Sequence, residues 1–213
     1  MRVGRDVGLV MQAGKLGVTA FLMIANTERF WIDVPKRNRT YESPVSTGLP
    51  KFGPDKAFLN LRPNQIIEAL CPSPAEPERD GFRWLVETGR MSYVLTLFKD
   101  PSGPGEPGVI RRRISMDPET LTLRRIEIFD EAGAIESEIT YASNASYRGN
   151  LFPTLMTLER PRDAVSLVMK LDKVVPVNPA NMERPHFNVP SSRDRIHLDR
   201  DKLTEEDYTN TLD

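Results

Sequence analysis

Short turns divide the second half of this chain into segments of about 8–14 residues. Four turn sequences combine Pro, Gly, Asp or Asn with polar residues: Asp117-Pro118-Glu119, Glu131-Ala132-Gly133, Arg148-Gly149-Asn150 and Pro161-Arg162-Asp163. Parallel strands need crossover connections of a dozen or more residues, and these turns are far too short for that. The spacing therefore predicts consecutive antiparallel hairpins.

Alternating apolar residues place the strands between these turns. Strands are predicted over residues 109–116, 121–129, 135–147, 153–159 and 165–175, and the first half adds residues 7–11, 18–24, 29–34, 39–41, 83–87 and 91–99. A helical pattern occurs at residues 62–71, where Pro63 suits the first turn and Pro72 ends the run. The fold class is mainly β (α+β).

The strands of the second half agree on which face is apolar. One face collects Ile110, Ile114, Met116, Ile126, Ile128, Ile139, Tyr141, Val165, Leu167, Met169 and Leu171, and the other collects Arg111, Arg113, Arg125, Glu127, Glu136 and Glu138. An apolar face must be covered by curling of the sheet, by a helix or by a ligand. We expect a curved antiparallel half-barrel sheet with one or few helices over its concave face, although a two-layer α+β domain fits the same pattern.

Length and composition fit one domain at residues 1–190 followed by a polar C-terminal tail at residues 191–213. Hydrophobic residues make up 39% of the chain and charged residues 28%, so a core can form. The formal net charge of -1 lacks the basic excess of a nucleic-acid-binding protein. No apolar run reaches the roughly 20 residues of a membrane helix. The opening residues also lack a secretory signal pattern, which is expected of a cytosolic protein or of a processed or truncated form.

Catalytic and metal-binding patterns are weak, so we expect no catalytic residue, no metal and no cofactor. His186 and His197 lack the spacing of zinc ligands, and Cys71 lies at a helix end rather than at a helix start. Glu136 and Glu138 could act as the paired carboxyls of a hydrolase. Their expected neighbours are arginines, which favours cross-strand ion pairs instead.

Two arginines fall on the predicted apolar face. Arg112 and Arg124 are expected near its rim, where a guanidinium group could contact a phosphate or carboxylate. The alternative is an arginine whose stem lies along apolar surface while its charged head stays in water.

Several local patterns resemble the bacterial outer-membrane lipoprotein carriers and receptors of the LolA/LolB type. They are Phe30-Trp31-Ile32-Asp33-Val34-Pro35 with Arg39-Thr40-Tyr41, Met116-Asp117-Pro118-Glu119-Thr120, Ile128-Phe129-Asp130 with Gly133, then Tyr141, Gly149 and Pro153, and Phe187-Asn188-Val189-Pro190. The resemblance covers roughly residues 7–190. Its motifs are β patterns rather than catalytic signatures.

The resemblance implies a half-barrel with a helical lid over a cavity for acyl chains, in the periplasm or at the periplasmic face of the outer membrane. The expected partner is a lipid or an acylated lipoprotein, with an envelope protein as a further candidate and no enzymatic activity. The predicted cavity residues are Phe30, Ile32, Ile114, Met116, Ile126, Ile128, Ile139, Tyr141, Leu167 and Met169. These residues could equally form an ordinary packed core. The alternative function is an interaction module of an envelope complex without a small ligand.

Overall fold

The computed structural model describes residues 2–4, 8–15, 18–26, 28–44, 62–72, 82–101, 108–147, 150–172 and 194–197. The chain divides into two compact units. The first comprises residues 1–72 and 176–213, and the second comprises residues 73–175.

A six-stranded sheet forms the first unit, in the order β1-β2-β3-β4-β5-β13. Its strands are β1 (Arg2–Gly4), β2 (Gly8–Lys15), β3 (Val18–Ala25), β4 (Arg29–Val34), β5 (Arg39–Pro44) and β13 (Asp194–His197). The first five run antiparallel, and β13 pairs with β5 in parallel. Thus four residues of the predicted C-terminal tail form an edge strand of this sheet.

One helix, α1 (Pro63–Leu70), lies against β1 and β2. Pro63 occupies its first turn, where the missing N–H has no helical partner to lose. The Cys71 N–H closes the last turn on the Ile67 carbonyl at 2.7 Å. Ile66, Ala69 and Leu70 are buried, as their shared helical face predicts.

A seven-stranded sheet forms the second unit, in the order β12-β11-β10-β9-β8-β7-β6. The strands are β6 (Phe82–Thr88), β7 (Tyr93–Lys99), β8 (Val109–Met116), β9 (Leu123–Phe129), β10 (Ile135–Tyr147), β11 (Asn150–Arg160) and β12 (Val165–Lys170). Every neighbouring pair is antiparallel and consecutive in the chain. This is the meander that the turn spacing predicts.

The predicted fold class is confirmed in its coarse form: the described residues are mainly antiparallel β-sheet with one short helix. The expectation of a single curved half-barrel sheet is corrected, because the strands divide between two sheets and neither is closed or strongly curled. The division falls between β5 and β6, which residues 45–81 separate. Strands pair readily across turns of a few residues, and this connection is much longer and contains α1.

Candidate functional site: the apolar face of the second sheet

Seven apolar residues form one row across the second sheet, with one residue from each strand. This apolar row consists of Val86, Leu95, Ile114, Ile126, Ile139, Leu158 and Leu167. Each residue is the direct cross-strand partner of the next, so the side chains stand side by side on one face. The sheet therefore carries an uninterrupted apolar band from one edge to the other.

Further apolar residues extend the band on the same face. Tyr141, Met156 and Met169 are paired in a second row across β10, β11 and β12, and all three are buried. Ile128 lies two residues from Ile126 on β9. Met116 follows a register shift in β8 and is paired with Tyr93 and Leu123.

Burial within the apolar row decreases from the centre towards both ends. Ile126 and Ile139 have no exposed surface, whereas Leu95 and Leu167 are partly exposed. At the β6 edge Val86 is 59% exposed. The row is therefore a buried core in the middle strands and an accessible apolar surface at the sheet edges.

The structure brings together eight of the ten predicted cavity residues on this sheet: Ile114, Met116, Ile126, Ile128, Ile139, Tyr141, Leu167 and Met169. The other two, Phe30 and Ile32, lie on β4 of the first sheet, where both are buried. There Ile32 is paired with Met23 on β3 and Tyr41 on β5, and Phe30 is paired with Ala25 and Ser43. Ligand contact by Phe30 and Ile32 stays a prediction.

Arg112 and Arg124 occupy different positions around the apolar face. Arg112 is paired in the ladder with Leu97 and Ile128 and lies on this face. Arg124 is exposed; its guanidinium group forms an ion pair with Asp117 and donates to the Met91 carbonyl at 2.9 Å. Arg124 therefore joins two turns at the end of the sheet, and the anion contact of either arginine stays a prediction.

Asp117 organises the turn between β8 and β9. Its Oδ1 accepts hydrogen bonds from the N–H groups of Glu119 and Thr120, both at 2.9 Å. The Thr120 backbone N–H, and then the Arg124 guanidinium, lower the pKa of Asp117 to about 2. The carboxylate is ionised at neutral pH, and it serves the turn rather than an acid–base reaction.

The opposite face of the same strands carries an ion-pair chain. Glu127 contacts Arg113 at 3.3 Å and Arg125 at 3.1 Å, and Arg125 also contacts Glu138 at 2.5 Å. Arg113, Glu127 and Glu138 are successive cross-strand partners on β8, β9 and β10. Glu136 pairs with Arg160 at 3.8 Å. The carboxylates considered for a hydrolase thus lie against arginines, which is the arrangement of structural ion pairs.

Four members of the apolar band are absent from the predicted site: Val86, Leu95, Met156 and Leu158. All four lie in segments that the sequence predicts to be strands. The period of two would have grouped Met156 with Leu158 on β11, so the signal was present there. Which face of β6, β7 and β11 joins the band depends on the register of each hairpin.

Within the described residues, no group of three His, Cys, Asp or Glu side chains could hold a metal ion. Of the residues weighed as metal ligands or nucleophiles, Cys71 lies partly buried at the C-terminal end of α1. His186 lies outside the described residues, as do Gly149 and the segment from Phe187 to Pro190.

No helix in the described part of the chain is long and apolar enough to span a membrane.

Comparison with known proteins finds no matching family model and no matching curated protein. Among solved structures, the chain is similar to a putative outer membrane lipoprotein-sorting protein domain from Vibrio parahaemolyticus, with 15% identity and a TM-score of 0.42 over 72% of this chain. That match spans 63% of the Vibrio domain, which is less than two thirds of its length.

Two further structures are similar at comparable levels. A DUF1329 family protein from Desulfovibrio piger has 16% identity and a TM-score of 0.44, covering 82% of this chain and 79% of that chain. A LolA superfamily protein from Nitrosomonas europaea has 12% identity and a TM-score of 0.40, covering 73% and 67%. All three similarities are at low sequence identity, 12–16%, with TM-scores of 0.40–0.44.

Proposed function

We propose that this chain is a non-enzymatic carrier or receptor that binds an apolar ligand in the bacterial cell envelope. The ligand class is an acyl chain of a lipoprotein or of a lipid. The observation that supports the proposal is the apolar row, which crosses all seven strands of the second sheet without a polar interruption. The envelope location rests on the resemblance of the sequence motifs.

The dimensions of the row suit an acyl chain. Six steps between neighbouring strands of about 4.8 Å give a row roughly 29 Å long. The hydrocarbon core of a bilayer, which is two acyl chains thick, measures about 30 Å. One acyl chain is therefore about half as long as the row. It would contact the accessible members at the sheet edges, which are Val86 and Leu95 at one edge and Leu167 at the other.

The chemistry of the row is also that of a lipid site. Its members are Val, Leu and Ile, which offer apolar area and no hydrogen-bonding group. Each buried CH₂ of a ligand would contribute about 0.8 kcal/mol. The partly exposed ends at Leu95, Val86 and Leu167 would be the places where a ligand first meets the row.

Two neighbouring residues on β12 allow a matched test. Leu167 belongs to the apolar row, whereas Val168 points to the opposite face and is 63% exposed. A charge in the row should disrupt acyl binding, and a charge on the other face should not. We expect Leu167→Asp to lower the amount of retained lipid at least tenfold and Val168→Asp to leave it unchanged. A tenfold loss of affinity corresponds to about 1.4 kcal/mol of binding free energy.

The measurement is native mass spectrometry of the protein purified from a bacterial host, together with lipid extraction. Near-stoichiometric fatty acid or phospholipid that Leu167→Asp removes and Val168→Asp retains would support the proposal. An apo mass that does not change when acyl ligands are added would contradict it. That result would favour the interaction module without a small ligand.

A further inference from the structure

Strand β6 is an accessible apolar edge of the second sheet. Within the described residues its hydrogen-bonded neighbour is β7 alone. Leu85 is 49% exposed and Val86 is 59% exposed. Because adjacent residues of a strand point to opposite faces, β6 is accessible on both faces. The seven residues contain no Pro and no Lys, two common protections of an edge strand, and their charged side chains are Arg83 and Glu87.

The hydrogen-bond phase of the β6–β7 hairpin shows which backbone groups point outward. The Gly89 N–H donates to the Ser92 carbonyl at 3.0 Å, so this pair occupies a hydrogen-bonded position. Hydrogen-bonded pairs alternate along an antiparallel ladder, and the β6–β7 register has no shift. Glu87, Leu85 and Arg83 therefore bond to β7. The backbone groups of Phe82, Trp84, Val86 and Thr88 face away from β7.

The sequence of β6 is complementary to itself when it is read in the opposite direction. A two-fold axis through Leu85 sets Arg83 of one copy opposite Glu87 of the other, and Trp84 opposite Val86. Trp84 and Val86 are outward-facing, so this register forms hydrogen-bonded pairs on both sides of the axis. Moving the axis by one residue to Trp84 or to Val86 removes both Arg–Glu pairs.

We propose that β6 is a homodimer interface, in which two copies of the chain pair antiparallel around Leu85 and join their second sheets. The occupant of the edge is a second copy because charge, side-chain size and hydrogen-bond phase match in the same register. A two-fold interface of this kind is closed and does not propagate into a fibre. Its existence does not depend on the proposed function.

The side chains on both faces of the joint fit this assembly. On the apolar face, Val86 of one copy meets Trp84 of the other, so the apolar band continues across the joint. On the opposite face, the two exposed Leu85 side chains cover each other at the axis. Arg83, which pairs with Asp100 at 2.6 Å, has a side chain that is 70% exposed and can also reach Glu87 of the second copy.

A mixing experiment tests the register. Arg83→Glu puts two carboxylates opposite each other at each pair, and Glu87→Arg puts two cations there. Each variant alone should dimerise about tenfold more weakly than the unaltered chain, because like charges directly opposite are destabilising. An equimolar mixture of the two variants restores opposite charges at both pairs, and it should form heterodimers as readily as the unaltered chain forms homodimers.

The measurement is sedimentation equilibrium over a concentration series, with native mass spectrometry to distinguish heterodimers from homodimers. A second variant removes a hydrogen bond instead of a charge. Val86→Pro deletes an outward N–H without touching the bonds to β7, and it should abolish the dimer, whereas Val86→Thr keeps the N–H and should dimerise.

Recovery of dimers in the mixture would establish the proposed register. An unaltered chain that stays monomeric throughout the series would overturn the proposal. Dimers that neither the charge variants nor Val86→Pro weaken would overturn it as well, because the association would then use another surface.

Discussion

The two faces of the second sheet are built on the same seven strands but are held together differently. One face is an apolar band whose central side chains, Ile126 and Ile139, are completely buried. The other carries Arg113, Glu127 and Glu138 as cross-strand partners. Burial of apolar area acts without regard to direction, whereas ion pairs act only between matched positions. The apolar face therefore stabilises the sheet by burial, and the charged face favours one register.

Truncation at the centre of the apolar face should have the largest effect. Ile139→Ala removes a fully buried side chain between Ile126 and Leu158, and it leaves a cavity in the row. We expect a loss of about 2–5 kcal/mol in the free energy of unfolding, measured by urea titration. Val168→Ala, on the exposed side of β12, serves as the control and should change it by less than about 0.5 kcal/mol. Equal losses in the two variants would contradict the division of roles between the faces.

The buried carboxylate of the charged face should come next. Glu127 is 7% exposed and contacts two arginines, so Glu127→Gln removes the carboxylate charge that both Arg113 and Arg125 contact. We expect a loss of about 1.5–3 kcal/mol, which is the range for hydrogen bonds to charged groups. The same urea titration measures it, and salt should reduce the difference only weakly because Glu127 is buried.

The outer ion pair of this face, Arg125 with Glu138, should contribute less to the free energy of unfolding. Arg125 is half exposed where it meets Glu138, so the solvent screens this pair. A double-mutant cycle with Arg125→Gln and Glu138→Gln should give a coupling energy of about 0.2–1 kcal/mol. A coupling energy as large as the loss from Glu127→Gln would show that the ion-pair chain acts as one unit rather than as a buried centre with exposed ends.

The smallest effect on stability is expected for Asp117, which lies in the turn between β8 and β9 and forms an ion pair with Arg124. The pKa of Asp117 in the folded chain is about 2, below its ordinary value of 3.8, so the unfolded chain binds the proton more tightly. The stabilisation by the ionised carboxylate is therefore complete above pH 4 and is lost as the pH falls from about 4 to 2. Asp117→Asn should flatten the dependence of the melting temperature on pH in this interval. An unchanged slope would show that the turn does not depend on the charge.

Local sequence patterns predict the type and order of most elements. Turn residues at short spacing required hairpins, and the period of two assigned Ile114, Ile126 and Ile139 to one face, where the structure places them. The single helix was predictable from Pro63 and the spacing of Ile66, Ile67 and Leu70. These features are local, since they depend on backbone preference and on residues a few positions apart.

How these elements combine depends on contacts between distant parts of the chain. The division into two sheets assigns Phe30 and Ile32 to a different sheet from the other predicted cavity residues, and it coincides with the long connection between β5 and β6. The parallel pairing of β13 with β5 joins segments about 150 residues apart, and such contacts depend on loop closure and global packing. Register decided the rest: a shift of one residue would turn Leu158 or Val86 to the opposite face, and only the paired neighbours determine which register is adopted.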